Sequence, residues 1–346
     1  MREELENGHG FSFRIEKEAI IMYRSIITHN DFDGVVSAAL CSYVFKINRV
    51  YFAAPGNIAR AELSITDEDI VCDLPYPLQC GLWFDHHEGN LQELRYRKID
   101  LNTIPGKFDL QPSCARVIFN YFQQQAPLAD YFAELVDAAD QIDSFSYSSI
   151  EEWRQDTPAK VIDATIKLRS GDAGEKRDYL KKLVFWLRDE PVAKVASRDE
   201  VTTRYQQYRS EENEMLRIIE QNSYFLPQDS KHEIIILDFT NFNRPSSVVK
   251  NLAYLLYPEA LAVLEVKNLF NRGIKSNDLS LSFSLSLNLN HGDHPKELGE
   301  IMRQLNIGDG HKGAAAGKVM CASKSEMLKQ KQLILDRIFS IWQAQQ

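Results

Sequence analysis

The sequence predicts an α/β protein: a parallel sheet flanked by helices in the N-terminal domain, a helical connector, and a smaller mixed α/β C-terminal domain. Three observations carry this. From Tyr23 to about Gln141, short apolar runs alternate with helical stretches, the pattern of a parallel sheet whose crossover helices cover both faces. Residues 150–230 are richer in charge and helical in period. Further on, Leu279, Leu281, Phe283, Leu285, Leu287 and Leu289 alternate with Ser or Asn, which is the period of a half-exposed strand.

The elements follow in order. Residues 1–21 form an extension, with Met22 as an alternative start, and 22–150 form the first domain. In it, Arg24–Thr28 reads as a strand, Val35–Phe45 as a buried helix, and Val50–Ala54, Ile70–Asp73 and Gly81–Asp85 as further strands. Ser113 can cap a helix through Gln123, and Pro127 suits the first turn of another that runs to about Gln141. The connector spans 151–230 and contains a long exposed helix, Asp199–Asn222. The last domain, 231–346, opens with a strand at Glu233–Phe239, a helix at Ser246–Tyr257 and a strand at Leu261–Val266. After the alternating strand come a helix over Pro295–Leu305, the glycine-rich Gly308–Gly317, and a final helix over Lys324–Ala344.

Composition excludes several classes. With 346 residues, 44% hydrophobic and 26% charged, the chain can bury two cores. No apolar run approaches the roughly 18 residues of a membrane span, and no secretory signal is visible, so a cytoplasmic protein is expected. The five cysteines show no metal-knuckle spacing and read as free thiols. The net charge of −9 argues against stable binding of long nucleic acid, which needs a basic surface. It leaves room for a small phosphorylated substrate held through cations.

Three strand signals of the first domain end in metal-ligand residue types: His29-Asn30-Asp31-Phe32-Asp33-Gly34, then Asp73, then Asp85-His86-His87. In an open parallel sheet the carboxyl ends of the strands share one rim, where ligands gather. Asp31 and Asp33 can reach two adjacent ions from one turn. The segment Asp137–Asp143 offers a further acid, with Asp137 and Asp140 on one helix face. Each cluster alone has an ordinary reading as a capped turn, a strand end or a surface acid; four in this order point to a metal centre. Oxygen and imidazole donors without thiolates favour Mn²⁺, with Mg²⁺ as the alternative.

At these residues the chain resembles the DHH phosphoesterases. The motifs are THNDFDG (28–34), CDLP (72–75), FDHHEG (84–89) and DAADQID (137–143), and GDGHKGAAAG (308–317) is similar to the glycine-rich signature of the companion substrate-binding domain. The resemblance implies two divalent ions. His29 and Asp31 would bind one; Asp33, His86 and Asp140 would bind the other, and Asp73 would bridge them. Asp85 would orient a ligand, and His87 would face the substrate phosphate. In the second domain Gly310, His311 and Gly313 would bind substrate. Relatives often carry an arginine on the strand before this loop; here Arg272 and Lys275, just upstream, are the candidates to replace it.

The resemblance implies hydrolysis of phosphodiester bonds in short oligonucleotides or dinucleotides. The alternatives are a phosphatase of polyphosphate, pyrophosphate or a 3′-phosphorylated nucleotide, a cyclic-dinucleotide phosphodiesterase, and a binding protein without turnover. A homodimer is left open.

Overall fold

A computed structural model describes residues 23–345 except 124, 126, 247 and 291–293; the extension lies outside them. The first sheet comprises β1 (Ser25–Thr28), β2 (Val50–Phe52), β3 (Asp69–Cys72), β4 (Leu82–Asp85) and β5 (Gly106–Phe108). Its order is β2-β1-β3-β4-β5 and every pairing is parallel. β1, β3 and β4 are buried along their whole length, as expected of parallel strands covered on both faces. Alternate residues serve opposite cores. Ile26, Ile70, Cys72 and Phe84 pack under helices on one face, while Ile27, Val71 and Trp83 pack on the other. Each such large apolar side chain contributes about 1.5–3 kcal/mol on leaving water.

Helices α1 (Phe32–Phe45), α2 (Pro55–Ala59), α3 (Glu88–Tyr96), α4 (Cys114–Gln123) and α5 (Tyr131–Asp143) belong to this domain. After them come α6 (Ile150–Arg154), α7 (Pro158–Ile166), α8 (Ala173–Asp189), α9 (Val192–Ala196) and α10 (Asp199–Gln221). The stretch expected to act as a connector is in large part core. Ile162 of α7, Leu183 of α8 and Val195 of α9 are fully buried with α1, α4 and α5. α10, expected to be exposed, buries Val201 in this core and Met215 and Ile219 against the second sheet.

The second sheet contains β6 (Ser223–Tyr224), β7 (Ile234–Asp238), β8 (Ala262–Asn271), β9 (Ile274–Leu285), β10 (Gly308–Gly310) and β11 (Ala314–Val319), in the order β10-β11-β9-β8-β7-β6. Only β7 and β8 are parallel. α11 (Ala253–Leu256) lies on the α10 side, α12 (Leu287–Asn290) follows β9, and α13 (Leu298–Gln304) and α14 (Lys324–Ala344) cover the opposite face. The alternating residues of β9 turn Leu279, Leu281, Phe283 and Leu285 into that α13–α14 core. The strand starts earlier than its leucine pattern, at Ile274, because the Asn271-Arg272-Gly273 turn zips it to β8. It stops at Leu285, where the chain turns into α12. Among the described residues of the helix expected at 246–257, only Ala253–Leu256 is α-helical. Among the described residues no helix is long and apolar enough to cross a membrane.

Candidate metal centre

The direction of strand addition reverses between β1 and β3, and a crevice opens there at the carboxyl ends of the strands. The chain leaving β1 lines it with His29, Asp31 and Asp33. A Cβ at Gly34 would lie 2.3 Å from the His29 carbonyl oxygen, so this turn requires glycine. Asp31 caps α1: one carboxylate oxygen accepts the Gly34 N–H at 2.9 Å, and the other faces His29 Nδ1 at 2.5 Å. Asp33 accepts the N–H groups of Cys114 and Ala115, each at 2.8 Å, which ties the first motif to the start of α4.

Asp73 follows β3 with φ 57, a left-handed conformation that is uncommon away from glycine and concentrated at functional sites. Its N–H donates to the Phe84 carbonyl at 2.9 Å. Its Oδ2 is buried without a hydrogen-bond partner among the described residues. The His29 and His86 imidazoles face its two oxygens at 3.6 and 3.7 Å, too far for hydrogen bonds.

The chain after β4 supplies the imidazoles. His86 Nδ1 lies 3.0 Å from the Gln111 carbonyl, which fixes the proton on Nδ1 of the neutral ring and leaves the Nε2 lone pair for a ligand. Nε2 is buried without a partner among the described residues and lies 3.5–3.7 Å from carboxylate oxygens of Asp33, Asp73 and Asp143. His87 donates from Nδ1 to the fully buried Asp85 at 2.9 Å, and Asn90 donates to the other Asp85 oxygen at 2.7 Å. Three overlapping groups result: His29, Asp31, Asp73; Asp33, His86, Asp143; and Asp73, His86, His87. Each has its donor atoms within 4.8 Å of one another.

Asp140, expected as a ligand, is engaged elsewhere. It accepts from Ser113 Oγ at 2.6 Å and Arg116 Nε at 2.8 Å. Asp143, almost one turn later on α5, takes the place facing His86. An available signal was its position at the carboxyl end of a helix, where the dipole disfavours an acid.

No family model matches this chain, and no curated protein matches its sequence. Solved structures do. The pGpG-specific phosphodiesterase PggH from Vibrio cholerae superposes with a TM-score of 0.62 at 20% identity, covering 91% of this chain and 98% of its own. The DHH domain of a protein described as a member of a ribosomal-protein family gives 0.59 at 12% identity, covering 93% of this chain and 87% of its own. RecJ from Thermus thermophilus, solved with Mn²⁺, gives 0.50 at 14%; this chain is covered over 92% and spans 52% of RecJ. The fold is that of the DHH proteins.

The donors of this DHH rim fit divalent cations. All are oxygens or imidazole nitrogens, and two buried donor atoms, Asp73 Oδ2 and His86 Nε2, are otherwise orphaned. Their charges are balanced only by protonation. Burial and the charges of Asp73, Asp143 and Asp31 push Asp33 up, and burial with the neighbouring acids raises Asp143 to about 7. Burial alone would lower His29 and His86, yet the facing carboxylates raise both to about 10. Burial would raise Asp73, but the same imidazoles hold it at about 2. Cations placed among these donors would replace the protons.

The glycine-rich segment of the DHH fold forms a hairpin, β10–β11, with His311–Gly313 at its turn. A Cβ at Gly310 would meet the Ala314 carbonyl oxygen at 2.4 Å. His311 Nδ1 accepts the Gly313 N–H at 3.2 Å, which puts the neutral ring's proton on Nε2. Burial lowers the His311 pKa; besides Glu297 of its own domain it feels the charges of His87, Glu88 and His86 across the cleft, so this loop faces the rim. Arg272 and Lys275 do not join it. β11 pairs Ala314 with Ser284, so Lys275 lies nine positions back along β9, about 30 Å away at 3.3 Å per residue. Lys275 Nζ donates to the Thr240 carbonyl at 2.7 Å, and the charge of Arg272, at the far hairpin tip, is felt by Glu62.

Proposed function

We propose that this chain hydrolyses phosphodiester bonds of short oligonucleotides or dinucleotides with a pair of divalent cations, Mn²⁺ preferred. The observation that carries the reading is the sharing of Asp73 between His29 and Asp31 on one side and His86 on the other, with Asp33 and Asp143 completing the latter side. Such a shared carboxylate supports a pair of adjacent ions. The fold likeness to a protein named a pGpG-specific phosphodiesterase and to RecJ solved with Mn²⁺ supports it.

When bound, the cations supply Lewis-acid charge and lower the pKa of the attacking water. The residues of the chain do the rest. Asp73 holds both halves of the site at one spacing. Gln111 aims His86 through its Nδ1 proton. Asp85 holds the His87 ring through its Nδ1–H and, against the effect of burial, raises its pKa, which favours the imidazolium whose Nε2–H can meet a phosphoryl oxygen. From the facing domain, His311 offers a second N–H.

The test is hydrolysis by metal-stripped protein resupplied with Mn²⁺ or Mg²⁺, using a linear dinucleotide, a cyclic dinucleotide, polyphosphate, pyrophosphate and a 3′-phosphorylated nucleotide. Mn²⁺-dependent release of mononucleotides from the linear dinucleotide is expected. Asp73→Asn should lower it at least ~100-fold, beyond the usual cost of losing a group outside the metal's ligands. Cleavage of polyphosphate with an intact dinucleotide would overturn the assignment.

A further inference from the structure

A cavity of about 310 Å³ opens beside Asp143 between the two domains, large enough for part of a nucleotide. Its walls come from the α5–α6 corner, α7, α10 and the second sheet. Phe145, just past α5, stands at φ 52, a conformation costly for a bulky residue without a function to maintain it. That backbone sets its ring 5.4 Å from Trp153 and 5.5 Å from Tyr147, edge-on to both. The same cavity is lined by Asn251, whose Oδ1 is buried without a hydrogen-bond partner among the described residues. Such an atom costs stability unless a ligand completes it.

The cations of the cavity differ in availability. Arg154 is committed to Glu212 by two bonds of 2.7 and 2.8 Å, and Lys167 is paired with Asp163. Lys160 has a weak bond of 3.4 Å to the Glu152 carbonyl and lies 5.1 Å from the Tyr147 ring centre. His311 and Gly313 line the same cavity on the side of the glycine-rich hairpin.

We infer that this cavity is a nucleobase subsite, in which a base of the substrate packs against Phe145 and Trp153, Asn251 reads its polar edge and Lys160 meets its phosphate or carbonyl oxygens. The inference rests on the phosphodiesterase reading and adds the part of the substrate that the cations do not touch. Aromatic rings serve any base, because every base has a π-face; one amide at the edge distinguishes donor from acceptor patterns and so biases the choice among bases.

The test compares a dinucleotide with two analogues, each lacking one base. The wild type should show a KM roughly tenfold or more higher for one of the two analogues. Phe145→Gly, which removes the ring while relieving the left-handed backbone, and Asn251→Leu should raise KM for the full dinucleotide with little change in kcat, and leave KM for that analogue unchanged. Independently of turnover, titrating nucleoside monophosphates into metal-free protein should quench tryptophan fluorescence in the wild type and not in Phe145→Gly. Equal kinetics on all three substrates, or variants that lose the abasic analogue and the dinucleotide alike, would overturn the subsite while leaving the hydrolase standing. Failure of the wild type to cleave any of the three would remove the reading beneath it.

Discussion

At the residue scale the metal-free rim is a set of charges that protons alone reconcile. Asp143 is raised to about 7 by burial and its acidic neighbours, so its contribution to stability is present below its unfolded value and is lost as pH rises toward 7. His29 and His86 are raised to about 10 by the carboxylates that oppose their burial. Their contribution is full below their unfolded value, near 6.5, and disappears as pH rises through about 10. Cations compete with these protons. Metal binding must release protons from Asp33 and Asp143 wherever these raised carboxyls are still protonated, and from the two imidazoles at any pH below about 10. Asp73, held at about 2, releases none. The gain in Tm on adding Mn²⁺ should therefore grow between pH 6 and pH 8.5. Calorimetry near pH 7.5, in buffers of different ionisation heat, should register a net release of protons on metal binding. A pH-independent Tm gain with no proton release would mean that these groups are not ligands.

At the element scale α5 separates two roles within one turn. Asp140 fastens α5 to the start of α4 through Ser113 and Arg116, whereas Asp143 faces the rim. Asp140→Ala should cost about 1–3 kcal/mol of stability, since it strips charge-assisted bonds from partly buried donors, and should leave Mn²⁺ affinity unchanged. Asp143→Ala should lower that affinity by at least ~10–100-fold without destabilising the metal-free protein. Thermal melts and metal titrations of both variants check this, and the opposite pattern would return the ligand role to Asp140. The same helix marks the limit of sequence reading here. The motif order placed His29, Asp31, Asp33, Asp73 and His86 at strand ends, because a parallel sheet sends every carboxyl end to one rim. Choosing between acids three apart on one helix needed the position of Arg116, which sits on another element. Lys275 fell outside the cleft for a related reason. Its place depends on the β9–β11 register, and alternation along a strand does not encode its partner. β9 was visible because its apolar period is uninterrupted. The helix expected at 246–257 shrank because burial of Leu252, Ala253 and Tyr254 against the sheet sets its length more than propensity does.

At the scale of the whole molecule the acidic balance and the facing domains act together. A net charge of −9 works against a broad basic track along which a polynucleotide could exchange its counterions. The rim lies under the β10–β11 hairpin, with His311 sensing His87 across the cleft. α10 joins the two halves as a continuous helix, with Val201 in one core and Met215 and Ile219 against the other sheet. On the proposed reading, a substrate in this cleft would be held at its scissile phosphate and at the base subsite beside Asp143, with no further contacts along a longer chain. Binding energy should thus saturate within two or three nucleotides, and added length should bring only self-repulsion from a chain of like charge. Measured on single-stranded oligonucleotides of increasing length at fixed Mn²⁺, kcat/KM should peak at two to four nucleotides and fall beyond. Its dependence on salt should stay shallow, well short of the ~10³–10⁵-fold losses between 50 and 200 mM salt seen when six to ten phosphates are contacted. A kcat/KM that climbs steadily with length and drops steeply with salt would require a basic path over the surface that the net charge argues against, and would replace the short-substrate reading with that of a processive nuclease.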